Sequence, residues 1–370
     1  MSVWGEWAAA ETARIRAAGQ WRAPRDLDAA GPEGKLVADG RPVVSFASND
    51  YLGLTQHPAV VAAAHAALDR WGAGSGSARL IVGSRPVHSE LERALAEWKR
   101  AERAVLFPTG FAANLGVLAA LAGTGSLVCS DELNHASIID GCRMSRAEVA
   151  VYRHADADHV DQLLQERAPA GRRAVVVTDT VFSMDGDVAP VAALAEICAC
   201  RGALLVLDEA HAVLGPDPDL DGVDALRVGT LSKTLGALGG FVAGPASFTD
   251  LIVNRARSYI FTTASTPADA AAALAAVGVV RSPEGEALRA RLRGHVERVR
   301  PAHPSPIVPV VLGSEARAVE AAAALLELGL LVPAIRPPTV PPGTSRLRVA
   351  LSAAHTDEQV EALAGALAGL

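Results

Sequence analysis

Two short, continuous apolar runs stand out near the middle of the chain, and each ends at an aspartate. Residues 174–178 (AVVVT) precede Asp179, and residues 203–207 (ALLVL) precede Asp208. Hydrophobicity that is continuous rather than alternating is typical of strands that are buried on both faces, as in a parallel sheet. By the same criterion we predict further strands at residues 104–107, 126–129, 226–231 and 240–243.

Helical patterns lie between these strands, for example at residues 191–201. Strands that alternate with helices predict an α/β fold, with a mainly parallel central sheet flanked by helices. From about residue 282 the pattern changes to Arg-rich and Ala/Leu-rich helices separated by short apolar runs, which predicts a smaller α+β unit. The predicted organisation is an N-terminal segment (1–44), a large α/β domain (45–281) and a small C-terminal α+β domain (282–370).

The C-terminal part contains a proline-rich run at residues 336–343 (RPPTVPPG). Proline supplies no N–H donor, so this run is predicted to be neither a helix nor an inner strand. Around it we predict helices at residues 286–300 and 317–328 and strands at residues 307–312, 330–335 and 346–351.

Composition narrows the classes of function. The chain has 370 residues, 50% of them hydrophobic, and a formal net charge of −7. This charge argues against binding to nucleic acid or to a membrane surface, which needs a basic face. The longest apolar stretch, residues 270–280, is too short to span a bilayer, and no secretory signal is visible. The four cysteines lack the paired spacing of a zinc site, so we expect a cytoplasmic protein with reduced thiols and no metal.

Chemically active residues follow the predicted strands, where α/β sheets collect their ligands. Asp208 begins the sequence DEAH, and Lys233 ends the sequence TLSK. Taken singly, the aspartate could merely cap a helix, and a Ser-Lys pair on a loop is usually solvated. However, the uncharged residues 234–240 would bury the lysine. Burial lowers the pKa of a lysine amine, as a Schiff-base nucleophile requires.

Together these residues fit pyridoxal 5′-phosphate. This cofactor needs a lysine for its covalent link, a carboxylate against its pyridine nitrogen and an anion site for its phosphate. Residues 107–114 (FPTGFAAN) supply an anion site, because a strand ends, Gly110 permits a tight turn and a helix begins with free N–H groups. His135 follows another strand and is placed to lie on the cofactor ring, although a lone histidine is more often structural. The order of these motifs predicts a pyridoxal-phosphate enzyme with a Schiff base on Lys233.

The chain resembles the α-oxoamine synthases, a family of fold-type I pyridoxal-phosphate enzymes. The resemblance runs from about residue 45 to residue 355. One segment departs from the family, since residues 212–219 (AVLGPDPD) are shorter and richer in proline than usual. The resemblance implies a fold-type I transferase architecture. Its motifs are residues 48–54 (SNDYLGL), 134–137 (NHAS), 181–187 (VFSMDGD), 208–211 (DEAH) and 230–233 (TLSK).

The same resemblance implies a role for each site residue. Lys233 would be the Schiff-base lysine and general base, Asp208 the partner of the pyridinium, and His135 the residue that stacks on the ring and stabilises the oxyanion. The other implied cofactor contacts are Ser183 and His211 to the ring oxygen, and Gly110, Phe111, Thr230 and, from a second subunit, Thr263 to the phosphate.

Substrate contacts are also implied by the resemblance. Arg348 would hold the amino-acid carboxylate, and Thr339 and Arg22 would line the acyl site. Residues 334–348 resemble the branch that condenses L-alanine with a pimeloyl thioester, carried by coenzyme A or by acyl carrier protein, in biotin biosynthesis. A homodimer with shared active sites is implied as well.

Several alternatives stay open from the sequence. Within the family they are glycine C-acetyltransferase, 5-aminolevulinate synthase and serine palmitoyltransferase, which use other amino acids and acyl groups. From a different class comes a non-catalytic partner subunit that keeps the fold without the chemistry. Such a subunit would be expected to lose the lysine, so the presence of Lys233, Asp208 and His135 argues against it.

Overall fold

The computed structural model describes residues 2–215 and 217–370, so Pro216, in the segment that departs from the family, lies outside the described residues. Contacts divide the chain into two compact units. Unit 1 comprises the chain up to Ala47, Pro309–Val349 and Leu370, and unit 2 comprises Ser48–Val308 and Ala350–Gly369. The compact units have other boundaries than the predicted domains, since unit 2 also takes in residues 282–308. The domain boundaries at residues 44/45 and 281/282 stay a prediction.

Helices make up much of the described chain, together with a 3-10 turn at Leu54–Gln56 and a π-helical turn at Arg79–Gly83. The α-helices are α1 (Val3–Ala17), α2 (Pro58–Trp71), α3 (Pro86–Trp98), α4 (Gly110–Leu121), α5 (Ala136–Ser145), α6 (Ala157–Arg167), α7 (Val191–Arg201), α8 (Ala246–Arg255), α9 (Arg257–Ile260), α10 (Pro267–Val280), α11 (Pro283–Val299), α12 (Glu315–Glu327) and α13 (Asp357–Ala368).

The strands form three sheets among the described residues. They are β1 (Leu27–Ala29), β2 (Glu33–Leu36), β3 (Pro42–Ser45), β4 (Arg103–Phe107), β5 (Leu127–Asp131), β6 (Glu148–Tyr152), β7 (Ala174–Asp179), β8 (Leu204–Asp208), β9 (Ala225–Thr230), β10 (Gly240–Gly244), β11 (Ile307–Gly313), β12 (Leu330–Leu331), β13 (Ala334–Ile335) and β14 (Ser345–Ala350).

The seven-stranded sheet of unit 2 has the order β4-β10-β9-β8-β7-β5-β6. Strands β6, β5, β7, β8 and β9 run parallel, and β10 is antiparallel to both of its neighbours. The predicted mainly parallel sheet is therefore confirmed. Alternate side chains of these strands enter two different apolar clusters, such as Val177 in one and Val176 in the other. Both faces are covered, which explains why the strand sequences are continuously hydrophobic.

Unit 1 contains a four-stranded sheet of order β1-β2-β3-β12 and most of a three-stranded sheet of order β11-β14-β13. Strand β12 pairs in parallel with β3, so the N-terminal segment and residues far along the chain share one sheet. The single strand predicted at residues 330–335 was wrong, because this segment forms two short strands in different sheets. Pro333 lies between them, and proline cannot donate to a sheet hydrogen bond.

Among residues 2–215 and 217–370, no helix combines the length and the apolar character that crossing a membrane requires.

Candidate active site

The carboxyl ends of strands β7, β8 and β9 meet at one edge of the large sheet. Asp179 and Asp208 are directly paired in the register of β7 and β8, and Lys233 follows β9 by three residues. A cleft opens at this edge, within unit 2. It is lined by Thr109, Gly110, Phe111, Asn114, His135, Ser137, Asp179, Asp208, Ala210, His211, Thr230, Ser232 and Lys233. Seven residues that were predicted from sequence to contact the cofactor therefore lie around one cleft.

Asp208 is buried and is held by neutral donors. Its Oδ1 accepts a hydrogen bond from the backbone N–H of Ala210 at 2.9 Å, and its Oδ2 accepts one from Nδ2 of Asn114 at 2.6 Å. The residues directly after Asp208 form turns and bends, so the alternative of a helix-capping aspartate does not apply. A buried carboxylate in this position can pair with a positively charged group that enters the cleft.

A chain of hydrogen bonds runs from Asp208 to His135. The second N–H of the Asn114 amide donates to Ser137 Oγ at 2.9 Å, and Ser137 Oγ lies 2.7 Å from Nδ1 of His135. Nδ1 also accepts from the Ser137 backbone N–H at 3.2 Å, so it acts as an acceptor and the ring proton is assigned to Nε2. Burial lowers the pKa of His135, although the residue is exposed at the mouth of the cleft. The neutral ring can thus present an N–H to a bound molecule.

Lys233 and His211, which also line the cleft, begin a second chain of hydrogen bonds. Lys233 Nζ lies 2.9 Å from His211 Nε2, and His211 Nδ1 lies 2.6 Å from the hydroxyl oxygen of the buried Tyr51. If the ammonium donates to Nε2, the imidazole proton lies on Nδ1 and is donated to Tyr51. The Tyr51 hydroxyl then donates to Oδ1 of Asn49 at 3.1 Å. This arrangement gives Lys233 a partner with which a proton can be shared.

Asp179 was not predicted as a site residue, yet it lines the cleft and is almost completely buried. Its Oδ2 accepts the backbone N–H of His135 at 2.7 Å, and so fixes the start of helix α5. Burial and, next, the charge of Asp208 raise the pKa of Asp179 well above its usual value. The sequence contained a signal for this residue, since Asp179 ends a buried strand in the same way as Asp208. Asn114 and Ser137 carried no comparable signal.

Helix α4 points its N-terminus into the cleft. The Thr109 side chain caps the helix by accepting the N–H of Ala112 at 3.0 Å. The N–H groups of Gly110 and Phe111 belong to the first turn, where a helix supplies no internal acceptors, and they form an anion site. A Cβ on Gly110 would lie 3.3 Å from Cβ of Thr230, so a larger residue there would make a tight contact with Thr230. The anion site, the buried carboxylate and the amine together fit pyridoxal 5′-phosphate.

Ser183 and Thr263 also belong to unit 2, but they are not among the residues that line the cleft. Ser183 is half-buried in the loop between β7 and α7, and Thr263 is exposed after α9. The Ser183 loop has a fixed shape, because Gly186 has a φ of +69° and a Cβ there would lie 1.9 Å from the carbonyl oxygen of Ile307. The roles of Ser183 and Thr263 stay predictions.

The predicted substrate residues belong to unit 1. Arg22 and Thr339 are exposed, whereas Arg348 is buried on β14 and donates its backbone N–H to the carbonyl oxygen of Pro333 at 3.0 Å. Residues 336–343 form turns and bends, as predicted from their prolines. The substrate roles of Arg22, Thr339 and Arg348 also stay predictions.

The chain is similar to known proteins over most of its length. The family description "Aminotransferase class I and II" matches residues 41–367. An 8-amino-7-oxononanoate synthase of Anaeromyxobacter dehalogenans is 50% identical, over 99% of this chain and 95% of that protein.

Two solved structures are also similar to this chain. A serine palmitoyltransferase from S. paucimobilis, with a bound PLP–myriocin aldimine, has a TM-score of 0.91 at 30% identity and covers 100% of this chain and 98% of its own. An 8-amino-7-oxononanoate synthase from Francisella tularensis has a TM-score of 0.73 at 26% identity and covers 88% and 97%.

Proposed function

Because this chain belongs to the aminotransferase class I and II family, and within it to the 8-amino-7-oxononanoate synthases, we infer that it makes 8-amino-7-oxononanoate for biotin synthesis. The chain is a pyridoxal-phosphate-dependent acyltransferase. Its substrates in this proposal are L-alanine and a pimeloyl thioester of coenzyme A or acyl carrier protein, which condense with release of the free thiol and of carbon dioxide. The observation that carries the proposal is the meeting of Lys233, Asp208 and His135 around one cleft.

Pyridoxal phosphate, when bound, supplies an electron sink for the α-carbon of the amino acid. The residues that would hold it are those of the cleft. Asp208 would face the pyridine nitrogen, the N–H groups of Gly110 and Phe111 would bind the phosphate with the Thr230 hydroxyl, and His211 would contact the ring oxygen. Ser183 would add a second contact to that oxygen, and Thr263 of a second subunit a further phosphate contact.

The reacting groups are Lys233 and His135. Lys233 would hold the cofactor until the amino group of alanine replaces its Nζ. We propose that the freed Nζ, which can share a proton with His211, then takes and returns the proton at the α-carbon. His135 presents Nε2–H, so it can donate a hydrogen bond to the thioester oxygen as negative charge develops there. Arg348 would fix the carboxylate of alanine, and Thr339 and Arg22 would contact the acyl chain.

A second candidate function, that of a serine palmitoyltransferase, has one specific observation in its favour. The serine palmitoyltransferase structure has a higher TM-score, 0.91, than the oxononanoate synthase structure, 0.73. The TM-score reports the fold, and one fold supports many substrates. Sequence identity bears more directly on the substrate, and the 50% identity to an oxononanoate synthase exceeds the 30% to serine palmitoyltransferase. We therefore favour alanine and a pimeloyl thioester.

The test is a side-by-side comparison of kcat/KM. Pimeloyl-, acetyl-, succinyl- and palmitoyl-CoA are each offered with L-alanine, glycine and L-serine, and the products are identified by mass spectrometry. We expect alanine with pimeloyl-CoA to be the best pair. Some turnover of glycine is tolerable, because a missing methyl group changes discrimination by only about 1–3 kcal/mol. If glycine with acetyl- or succinyl-CoA, or serine with palmitoyl-CoA, is the better pair, the substrate assignment is wrong.

We also propose that the enzyme is a cytoplasmic homodimer. Exposed apolar side chains support the dimer, since Ile81, Val82 and Phe261 are 74%, 68% and 70% exposed, and Phe261 lies two positions before Thr263 in the sequence. A second copy that covered them would bring Thr263 towards the partner's phosphate site. Sedimentation equilibrium should give twice the 38.1 kDa of the chain, and a monomer would contradict the proposal.

A further inference from the structure

A histidine outside the cleft lies between two carboxylates, and its contacts determine its charge. His154 follows strand β6, with Nδ1 3.0 Å from Oδ1 of Asp131 and Nε2 2.7 Å from Oδ2 of Asp187. An ionised carboxylate can only accept a hydrogen bond, so each ring nitrogen has to carry a proton. The geometry therefore fits the imidazolium form of His154, in which both N–H groups are used.

The surroundings of His154 favour the charged form. Burial alone would lower the pKa of His154, but the hydrogen bonds to Asp131 and Asp187 raise it above its ordinary value. The Asp131 side chain is completely buried, and Glu132 Oε1 accepts the backbone N–H of His154 at 3.0 Å. The Phe182 ring packs edge-on against the imidazole, with 4.4 Å between the centroids. The charged groups with a hydrogen bond to His154 among the described residues are thus Asp131, Glu132 and Asp187, all acidic.

The two carboxylates belong to the two loops that carry predicted cofactor contacts. Asp131 ends β5 and starts the turn that leads to His135, since its carbonyl oxygen accepts the backbone N–H of Asn134. Asp187 closes the loop that carries Ser183, with its carbonyl oxygen accepting the backbone N–H of Phe182. One imidazolium therefore connects the His135 loop to the Ser183 loop, and the connection spans the neighbouring strands β5 and β7.

We propose that His154 is a positioning residue, which as an imidazolium holds the loops of His135 and Ser183 together beside the cofactor site. The inference rests on the proposed function only in that His135 and Ser183 face the cofactor. Its pH dependence follows from the raised pKa. We call the contact of His154 with Asp131 and Asp187 the clamp. The clamp is complete below the pKa that histidine has in the unfolded chain, and it is lost as the pH rises through the higher pKa of the folded state.

The first test is an NMR titration of the holoenzyme labelled with 15N-histidine. The chain has 10 histidines, and the His154 signals are assigned as those lost in His154→Gln. We expect both ring nitrogens of His154 to be protonated at pH 6.5 and to titrate above the ordinary value of about 6.5. A ring with one protonated nitrogen at pH 6 would overturn the proposal without any variant having to be active.

The second test is the affinity for pyridoxal phosphate, measured by absorbance titration from pH 6 to pH 9. His154→Gln is expected to raise the Kd about tenfold at pH 6.5, the size of one lost charged hydrogen bond. The difference from wild type should shrink as the pH rises, because the wild type then loses its clamp. His65→Gln, on the exposed surface of α2, is the matched control and should bind like wild type.

Equal affinity of His154→Gln and wild type at every pH would contradict the positioning role. If that variant does not fold, Asp187→Asn removes one arm of the clamp at a half-exposed side chain, and it should show the same pH-dependent loss. The product assay uses the wild-type enzyme, in which His154 is unchanged. If the His154 titration or the affinity measurement fails, the proposed function therefore still stands. If the product assay fails, the His154 titration can still be interpreted.

Discussion

Asp208 and Glu209 are neighbours in the chain, and both are buried, yet their carboxylates have opposite surroundings. Glu209 lies between two cations, with Lys99 Nζ 2.9 Å from Oε2 and Arg227 Nε 2.6 Å from Oε1. Arg227 is paired again with Asp217 at 2.7 Å, so the charges of this cluster are balanced by one another. Such a cluster has its partners inside the fold and serves the structure.

Asp208 faces the cleft and is held by the neutral amide of Asn114 and the backbone N–H of Ala210. These donors orient the carboxylate without neutralising it. The comparison teaches that burial of a carboxylate does not by itself mark a functional site. What distinguishes Asp208 is that its orientation is fixed while its charge remains available to a positively charged ligand group, such as the pyridinium that we propose.

The largest expected effect is the loss of stability when Glu209, the structural carboxylate of this comparison, is changed. Glu209→Gln leaves Lys99 and Arg227 buried without their shared countercharge, which should lower the free energy of unfolding by about 3–5 kcal/mol. Denaturant unfolding measures this loss. Turnover per folded molecule, at a temperature where the variant is folded, should stay within a few-fold of wild type. A large loss of turnover in a stable Glu209→Gln protein would abolish the distinction between the two carboxylates.

The next largest effect is the loss of reaction rate when Asp208, the carboxylate at the cleft, is changed. Asp208→Asn keeps the shape of the side chain but removes the charge that pairs with the pyridine nitrogen. A lost charge-assisted pairing of this kind costs on the order of a hundredfold or more in rate. Exchange of the α-proton of alanine, followed by NMR with Glu209→Gln as the comparison variant, measures it. An exchange rate equal to that of wild type would show that Asp208 does not have this role.

The smallest effect concerns Asp179, the second carboxyl at the strand ends. Burial and the charge of Asp208 raise its pKa in the folded state, with Asp131 acting in the same direction and Lys233 and the His135 N–H opposing. A raised carboxyl pKa adds stability that is complete below the unfolded value, about 3.9, and is lost as the pH rises through the folded value.

Asp179→Asn removes this titration but keeps an acceptor for the His135 N–H. The melting temperature of the variant relative to wild type should therefore rise steadily as the pH is raised from 4.5 to 9. A difference that is independent of pH would mean that Asp179 titrates with an ordinary pKa.

The central part of the fold could be predicted from the sequence, because strands covered on both faces have a continuous apolar pattern. Helix α7 begins and ends where it was predicted, and β7, β8 and β9 differ from prediction by one residue at most at each end. Strand β6 was missed, since it lies at the sheet edge and its Val149 and Val151 are exposed. Strands β1 to β3 were missed because they are only three or four residues long and lack a continuous buried run.

The site likewise has residues that could be predicted from the sequence and residues that could not. Lys233, Asp208, His135 and Gly110 could be placed from sequence, because each lies in a motif directly after a strand. Asn114 could not, because its importance comes from a side-chain amide that bonds Asp208 from 94 positions away. Such contacts depend on the register of neighbouring strands and on helix packing, and these leave no local pattern in the sequence.

The central claim is that Lys233 carries the cofactor, and covalent mapping tests it most directly. The chain has three lysines, Lys35, Lys99 and Lys233. Wild-type protein is incubated with pyridoxal phosphate, reduced with borohydride, digested and examined by mass spectrometry, with Lys233→Ala treated in parallel. The account predicts one phosphopyridoxyl group per chain, on the peptide that contains Lys233, and none in the variant. A stoichiometric label on Lys35 or Lys99, or equal labelling of the variant, would contradict it.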